Sequence, residues 1–199
     1  LRLENGSAIY DGGQVMVEDG GVLEIADSEA IGSLENAYTS GGEVRLNAGT
    51  VLTTGNRDSM WDPYAGTLPV DTTFGGTITG SGALNKVGTR TMTLTGTSTY
   101  TGDTILTDGT LALDFPNAAV ADNILSPDST LSLNGGTLLV AGTSWSLNSQ
   151  TFDGLSVNSG ASTVQLTSGG QPLLLDVGPI AYNGGSVLFV LPDGTQGGG

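Results

Sequence analysis

The chain has 199 residues, including 33 Gly and no Cys or His, and its five Lys+Arg against 20 Asp+Glu give a formal charge of −15. The acidic charge and scattered basic residues exclude a nucleic-acid-binding surface, and the lack of Cys excludes disulfides, zinc–thiolate sites and thiol catalysis. Apolar residues make up 37%, enough for a core, yet no apolar run reaches the ~18–20 residues of a membrane-spanning helix.

A repeated unit comes first along the chain. Residues 12–23 (GGQVMVEDGGVL) match residues 41–52 (GGEVRLNAGTVL), and looser copies follow at 102–113 and 131–140. Each copy combines a short strand, a Gly-centred corner and a second strand. Because the spacing between copies is irregular, we expect similar coils separated by loops of varying length.

Within each unit, apolar residues recur at every second position, which is the side-chain period of a strand. A single coil cannot bury its apolar face, whereas stacked coils can, so the pattern predicts an all-β solenoid. We expect one set of side chains to be buried and the alternating set to be exposed. The buried set is Val44, Leu46, Met92, Leu94, Leu111, Leu113, Leu131, Leu133, Val164 and Leu166, and the exposed set is Arg45, Thr93, Ser132 and Gln165.

The first part of the chain, 1–75, is acidic, with nine carboxylates in its first 43 residues. Neither an EF-hand loop nor a Gly-Gly-x-Gly-x-Asp repeat occurs there, so a solvated acidic face is favoured over a calcium site. Residues 53–72 contain two Pro and predict a long loop. Trp61 and Tyr64 in this loop form a candidate contact patch, and an anchoring role against the stack is the alternative.

The last part, 114–199, contains three further features. The stretch 114–129 is the place where one or two helical turns are plausible. Trp145 alternates with Ser and is a candidate for either the core or the surface. The apolar tail, 171–193, predicts two or three strong strands, and we expect the C-terminal half to be the stable part of the stack. The chain begins without Met and ends in three Gly, which suggests a fragment of a larger protein.

The middle segment, 76–113 (GTITGSGALNKVGTRTMTLTGTSTYTGDTILTDGTLAL), resembles the autotransporter-associated, or passenger-associated, β-strand repeat. Arg90, Ser98 and Asp103 depart from the family pattern, and all three lie at expected corners. The matching positions that define the repeat are Gly80, Gly82, Leu84, Lys86, Gly88, Leu94, Gly96, Tyr100, Gly102, Thr104, Gly109 and Leu111.

This resemblance implies a right-handed parallel β-helix passenger, exported to the bacterial surface and often followed by a C-terminal membrane β-barrel in the parent chain. It also implies a role for the repeat in passenger folding and secretion. Such passengers are frequently adhesins, for which a host-surface protein or glycan is the expected partner.

Parallel β-helices also include lyases and glycosidases, so catalysis has to be considered. With no His and no Lys/Arg cluster, the chain lacks acid–base partners and the means to stabilise an enolate-like intermediate. We therefore expect no enzyme activity, no cofactor and no metal. The alternative is a non-catalytic part of a carbohydrate-active β-helix protein. Thr-x-Thr runs at 91–95 do not predict an ice-binding face, because their spacing along the chain is irregular.

Overall fold

The computed structural model describes residues 1–37, 41–56 and 71–192. Across these ranges the backbone consists of short strands joined by turns and corners. Leu, Val and Ile interleaved with Thr favour this outcome, because branched side chains pack well on a pleated surface. The expectation of an all-β fold is confirmed.

The strands form three large sheets and two small ones. The first sheet contains β1 (Arg2–Leu3), β3 (Val22–Ile25), β6 (Glu43–Leu46) and β9 (Thr77–Gly80). The second contains β4 (Glu29–Ile31), β7 (Val51–Thr54), β10 (Ala83–Lys86), β12 (Thr104–Leu106), β14 (Thr130–Leu133), β17 (Gly154–Val157) and β20 (Ile180–Tyr182). The third contains β8 (Thr72–Phe74), β11 (Thr91–Leu94), β13 (Thr110–Asp114), β15 (Gly136–Ala141), β18 (Ala161–Thr167) and β21 (Ser186–Val190). The small sheets pair β2 (Gln14–Met16) with β5 (Ser33–Glu35), and β16 (Asn148–Thr151) with β19 (Leu173–Asp176).

Each strand pairs with the strand that holds the same place in the next coil. In β10, for example, Leu84 lies opposite Leu52 on one side and Thr104 on the other. All the pairings between these strands are parallel. The chain is therefore a parallel β-helix, as expected.

The alternation of inward and outward side chains follows the expected pattern. All ten residues of the expected buried set are buried. Arg45 is exposed, whereas Thr93, Ser132 and Gln165 are half-buried. Stacked strands lie ~4.8 Å apart, so neighbours above and below cover the flanks of an outward side chain even though its tip meets solvent.

Coil length varies while the stacking is kept. Stacked residues are 32 positions apart for Thr53 and Asn85 but 20 apart for Asp71 and Thr91. Farther along, the separation is 27 for Gly102 and Ser129. The strands preserve the ladder, and the corners absorb the extra residues.

The Gly-centred corners have a steric cause. Gly80 has φ +100°, and a Cβ there would overlap the carbonyl oxygen of Leu46 in the preceding coil. Gly109 has φ +66°, and a Cβ there would overlap the carbonyl oxygen of Gly88. Both the left-handed conformation and the close approach of two coils require glycine.

One helical turn is present between 114 and 129, the lower limit of the one or two turns that the sequence suggested. Within this stretch helical geometry is confined to one 3₁₀ turn, Phe115–Asn117. Ile124 and Leu125 are instead fully buried in the core. The Gln150 side chain accepts a hydrogen bond from the Leu125 backbone N–H (3.1 Å) and donates one to its carbonyl (3.0 Å). A side-chain amide thus takes the place of a neighbouring strand, and burial between coils overrides the local preference for a helix.

The C-terminal strands expected over 171–193 are present as β19, β20 and β21. Most of the loop expected over 53–72 lies outside the described residues, although Thr53 and Thr54 end β7 and Thr72 begins β8. The division into 1–75, 76–113 and 114–199 stays a prediction.

Candidate functional site

Lys86, at the end of β10, is a buried lysine within the repeat segment 76–113, at 1% exposure. Its Nζ donates to the carbonyl oxygens of Val87 (2.6 Å) and Gly88 (2.9 Å), and it reaches that of Asp108 in the next coil at 3.4 Å. A buried ammonium group needs such partners, because the loss of hydration is otherwise costly. Lys86 therefore gathers the carbonyl groups of two successive corners.

Tyr100 is fully buried and begins a second polar connection. Its hydroxyl lies 2.6 Å from Thr104 Oγ1, which lies 2.9 Å from Ser129 Oγ in the next coil. Ser129 in turn donates to the Gly102 carbonyl at 2.7 Å. Burial raises the pKa of Tyr100, while the hydrogen bonds to Thr104 and Ser129 act in the opposite direction. The phenol stays protonated and can serve as a donor.

The other repeat-defining residues also lie at contacts between coils. The leucines at 84, 94 and 111 are buried in the core. A Cβ at Gly96 would overlap the carbonyl oxygen of Gly76, and one at Gly102 would overlap that of Gly82. The structure thus places the matched positions at close approaches between neighbouring coils.

Ser129 is a residue that sequence analysis missed. Leu131 pairs with Thr104 in the ladder. Ser129 and Gly102 each lie two residues before these partners, so they lie opposite each other in successive coils. Only the inter-coil register reveals this relation, because coil lengths differ. The Ser-Pro-Asp-Ser sequence at 126–129 by itself indicates a turn.

Several N-terminal acids hold backbone groups of neighbouring coils. Glu29 is buried at 3% exposure, and its carboxylate accepts hydrogen bonds from the N–H groups of Ala8 (3.1 Å) and Ile9 (2.8 Å). Asp27 accepts from the Asn5 N–H at 2.8 Å. These acids do not form the purely solvated face that the sequence suggested. In the described part of the chain, no three potential ligand residues are grouped as a metal ion would require.

A charged row crosses the outer face of the first sheet. Arg2 contacts Glu24 at 2.6 Å, and Arg45 contacts Glu43 at 2.7 Å. Two hydrogen bonds lower the pKa of Glu43: the one from Arg45 has the larger effect and the one from Thr79 the smaller. Basic residues here serve as partners for the acids along the stack.

Threonines form a column on the outer face of the third sheet. Thr91, Thr110, Thr137 and Thr163 lie opposite one another in consecutive strands. The argument that irregular spacing prevents stacked Thr rows is therefore wrong, because the ladder restores the alignment. The adjacent column contains Thr73 and Thr93 but continues with Ala112, Leu139 and Gln165, so the two-column array typical of an ice-binding face is not formed.

A cleft of about 600 Å³ lies beside the ends of β8, β11 and β13. Its volume is within the range of small-ligand sites. Five of its seven lining residues carry an amide, hydroxyl or carboxylate group, and the Asn117 amide donates to Asp114 at 2.7 Å. The lining residues are Asn36, Ala37, Thr73, Gly75, Thr95, Asp114 and Asn117.

Comparison with known proteins gives one informative relative. The chain is 41% identical over 173 residues to the adhesin BmaC autotransporter of Brucella suis biovar 1 (strain 1330). The match covers 86% of this chain but only 5% of the relative. No protein-family model matches the chain, so the passenger-associated repeat stays a prediction. No solved structure matches it.

This chain is thus similar to a small part of an autotransporter adhesin, and the parallel β-helix suits that relationship. No helix within the described ranges is long and apolar enough to span a membrane. Trp61 and Tyr64, the expected contact patch, lie outside the described residues. Trp145 is at the surface rather than in the core, with 69% exposure.

The last coil differs from those before it because its apolar side chains are open to solvent. Ile180 and Tyr182 continue the inward column of Leu155 and Val157, yet they are 60% and 71% exposed. Phe189 continues the inward column of Val164 and is 43% exposed. Within the described ranges no further coil covers these side chains.

Proposed function

We propose that this chain is a structural stalk or scaffold segment of a surface-exposed, autotransporter-like adhesin. The observation that carries the proposal is the stack itself, in which parallel ladders and one buried core run from Leu3 to Leu166 and end in an open apolar coil. An uncovered apolar edge is a surface onto which a further coil can stack. Similarity to a small part of a much longer adhesin supports the same interpretation.

The second half of the proposal is that the repeat, 76–113, assists folding and secretion of the passenger. Its buried polar groups connect successive coils, as expected of a segment that organises the stack. To test this, Lys86→Met is introduced into the parent polypeptide and the protein displayed on intact cells is measured with an antibody. We expect less surface protein than with Thr93→Ala, an outward-facing control in the same coil region. Equal display of the two variants would contradict a role in secretion.

We further propose that the chain does not catalyse a reaction. The sequence has no His, and its five basic residues are scattered. Purified chain should release no reducing ends from pectin, alginate or peptidoglycan. Release that disappears when one Asp or Glu is replaced would show the proposal to be wrong.

The partner that fits an adhesin segment is a host-surface protein or glycan. The similarity to part of an autotransporter adhesin supports adhesion, and the cleft at Asp114 is a surface that hydroxyl-rich ligands could contact. Purified chain should be retained on host cells, and treating those cells with protease or glycosidase separates the two partner classes. Equal retention on supports with and without host cells would contradict a binding role for this segment.

A further inference from the structure

Three large apolar side chains are exposed on one outer face near the C-terminal end of the stack. Among the described residues between 23 and 173, Trp145 and Leu147 are the only large apolar side chains that are exposed, at 69% and 54%. Leu174, in the next coil, is 60% exposed. Exposed apolar side chains that lie together mark a contact surface, whereas single ones do not.

The register of β16 with β19 places these side chains next to one another. Ser149 in β16 lies opposite Leu174 in β19. Leu147, two residues before Ser149, shares its outward side and therefore lies diagonal to Leu174, within reach of a long side chain. Trp145 precedes Leu147 by two residues, so their Cα atoms are at most ~7 Å apart. By the same register the exposed Pro172 lies opposite Leu147, and we refer to these four apolar residues as the apolar patch.

The open end of the stack does not account for this exposure. Trp145 and Leu147 precede β16, and β19 of the last coil already stacks on that strand. Leu174 is in the last coil, but it points outward, since its neighbours Leu173 and Leu175 pack against the core. A further coil would flank these side chains without covering their tips.

Trp145 lies on a turn whose shape is fixed by buried polar side chains. The hydroxyl of Thr143, which is 3% exposed, accepts from the Ser146 N–H at 3.1 Å and donates to the Ser146 carbonyl at 2.9 Å. The buried side chain of Asn148 accepts from the Thr143 N–H at 2.8 Å. A turn that is already ordered loses little conformational freedom on binding, which favours recognition through Trp145.

The charge of this half of the chain decides which partner chemistry fits. Residues 91–199 contain eight Asp and no Lys or Arg. Two of these acids, both exposed, border the apolar patch. Asp122 lies opposite Ser149 and accepts a hydrogen bond from its hydroxyl, and Asp176 follows Leu174 by two residues. Such a surface attracts cationic groups and repels anionic ones.

Other classes of partner fit this surface less well. A second copy of the chain, an anionic membrane or an anionic glycan would each bring negative charge to an acidic face. A neutral glycan requires polar groups that converge beside the aromatic ring. Here the neighbours of Trp145 in the patch are apolar, and the Thr143 hydroxyl is used within the turn. Apolar anchors with a charged rim are typical of a protein–protein contact.

We propose that the apolar patch is a docking surface for a basic protein segment. The segment places apolar side chains against Trp145 and Leu147, and its Lys or Arg residues lie near Asp122 and Asp176. The inference rests on the adhesive part of the proposed function, and it narrows the partner to a cationic protein. Tryptophan is enriched among the residues that dominate binding energy, while complementary charge speeds association and sets specificity.

Tryptophan fluorescence of the purified chain tests the proposal. Trp61→Phe leaves Trp145 as the only tryptophan, so its emission reports this surface. The probe is a synthetic amphipathic peptide of Leu and Lys, and the comparison is a peptide of the same pattern with Glu in place of Lys. We expect the Leu/Lys peptide to shift the emission to shorter wavelength in a saturable manner, with weaker binding at higher salt. The Leu/Glu peptide should have no effect.

Two matched pairs of variants locate the binding. Leu147→Ser with Leu174→Ser should weaken binding of the Leu/Lys peptide about tenfold or more, because two apolar contacts are lost. Ile180→Ser with Tyr182→Ser removes two exposed apolar side chains from the open last coil instead, and binding should be unchanged.

The acids are tested in the same way. Asp122→Asn with Asp176→Asn should weaken binding and reduce its dependence on salt. Asp103→Asn, at an exposed acid just before β12, is the control and should change neither.

The proposal would be overturned by no shift with the Leu/Lys peptide, by an equal shift with both peptides, or by equal losses in the two pairs of apolar variants. A shift with maltoheptaose, a neutral oligosaccharide, in place of the peptide would also overturn it. Retention on host cells separates this inference from the proposed function. If Leu147→Ser with Leu174→Ser leaves retention unchanged, the docking surface is wrong while the adhesive role stands. If the peptide binds through the patch but the chain is not retained on cells, the adhesive role is wrong while the docking surface stands.

Discussion

Replacing Leu94 by Ala should strongly weaken the stack, whereas replacing the adjacent Thr93 should have little effect. Leu94 is 1% exposed and lies between Phe74 in the coil before and Leu113 in the coil after. Both neighbours are held in place by their own strands, so they cannot move far into the space left by the truncation. The cost should therefore fall in the upper half of the range for buried Leu→Ala changes, ~3–5 kcal/mol of unfolding free energy.

Thr93 points outward from the same strand, between Thr73 and Ala112. Its truncation removes a favourable strand residue and some flank contacts, for which ~0.5–1 kcal/mol is expected. The two variants thus compare opposite faces of one strand at almost the same place in the fold.

Equilibrium unfolding in urea, followed by circular dichroism, measures the difference. With a denaturant slope of ~3 kcal/mol per molar, Leu94→Ala should lower the midpoint by ~1 M or more, and Thr93→Ala by less than ~0.4 M. A change of slope would indicate that coils unfold in separate steps, and hydrogen exchange at β11 would then report the local effect. Equal midpoint shifts for the two variants would refute the assignment of inner and outer faces.

Three further outcomes follow from single contacts. Gly80→Ala should markedly destabilise the chain, since its Cβ would overlap the Leu46 carbonyl. Gly20→Ala, also at positive φ but facing open space, should cost only the ~1–2 kcal/mol of the left-handed conformation, as measured by thermal unfolding. Because the pKa of Glu43 is lowered, its contacts add stability at pH values above the ordinary pKa of Glu, and this stability is lost as the pH falls through the lowered pKa. Glu43→Gln should therefore make the melting temperature fall less steeply at acid pH. An unchanged fall would contradict the coupling. Leu155→Ala should cost ~2–5 kcal/mol of unfolding free energy, and Ile180→Ala, one coil later in the same column, less than ~1; equal costs would show that the last coil is covered.

The period-two pattern was sufficient to predict the faces of the strands, because each inward residue is specified by its own neighbours in sequence. Met92 and Leu94 are buried for the reason visible in TMTL, where apolar and polar residues alternate. The Gly-centred corners were predictable for the same local reason. Gly109 stands between two such strands, and its positive φ needs no knowledge of distant residues.

The polar interior could not be predicted in this way. Glu29 binds backbone N–H groups about 20 residues earlier in the chain, and Ser129 meets Thr104 from 25 residues away. Their partners depend on how many residues each corner contains, and these numbers vary from coil to coil. Sequence analysis therefore placed Glu29 on a solvated face, although the carboxylate lies buried beneath the segment that it holds.

The stability expected of the C-terminal half also depends on the neighbouring coils and not only on the local sequence. The strands β19 to β21 are rich in Leu and Val, but such residues stabilise a solenoid only when another coil covers them. Leu188 lies opposite Thr163 on the outward side and is 60% exposed, whereas Leu111 lies between two coils and is fully buried. The N-terminal coils, although acidic, gain hydrogen bonds through Glu29 and Asp27. Stability should therefore be greatest in the middle of the stack, where the repeat lies. It should be lower in the last coil, whose strands β19, β20 and β21 pair on one side with β16, β17 and β18 and are exposed on the other.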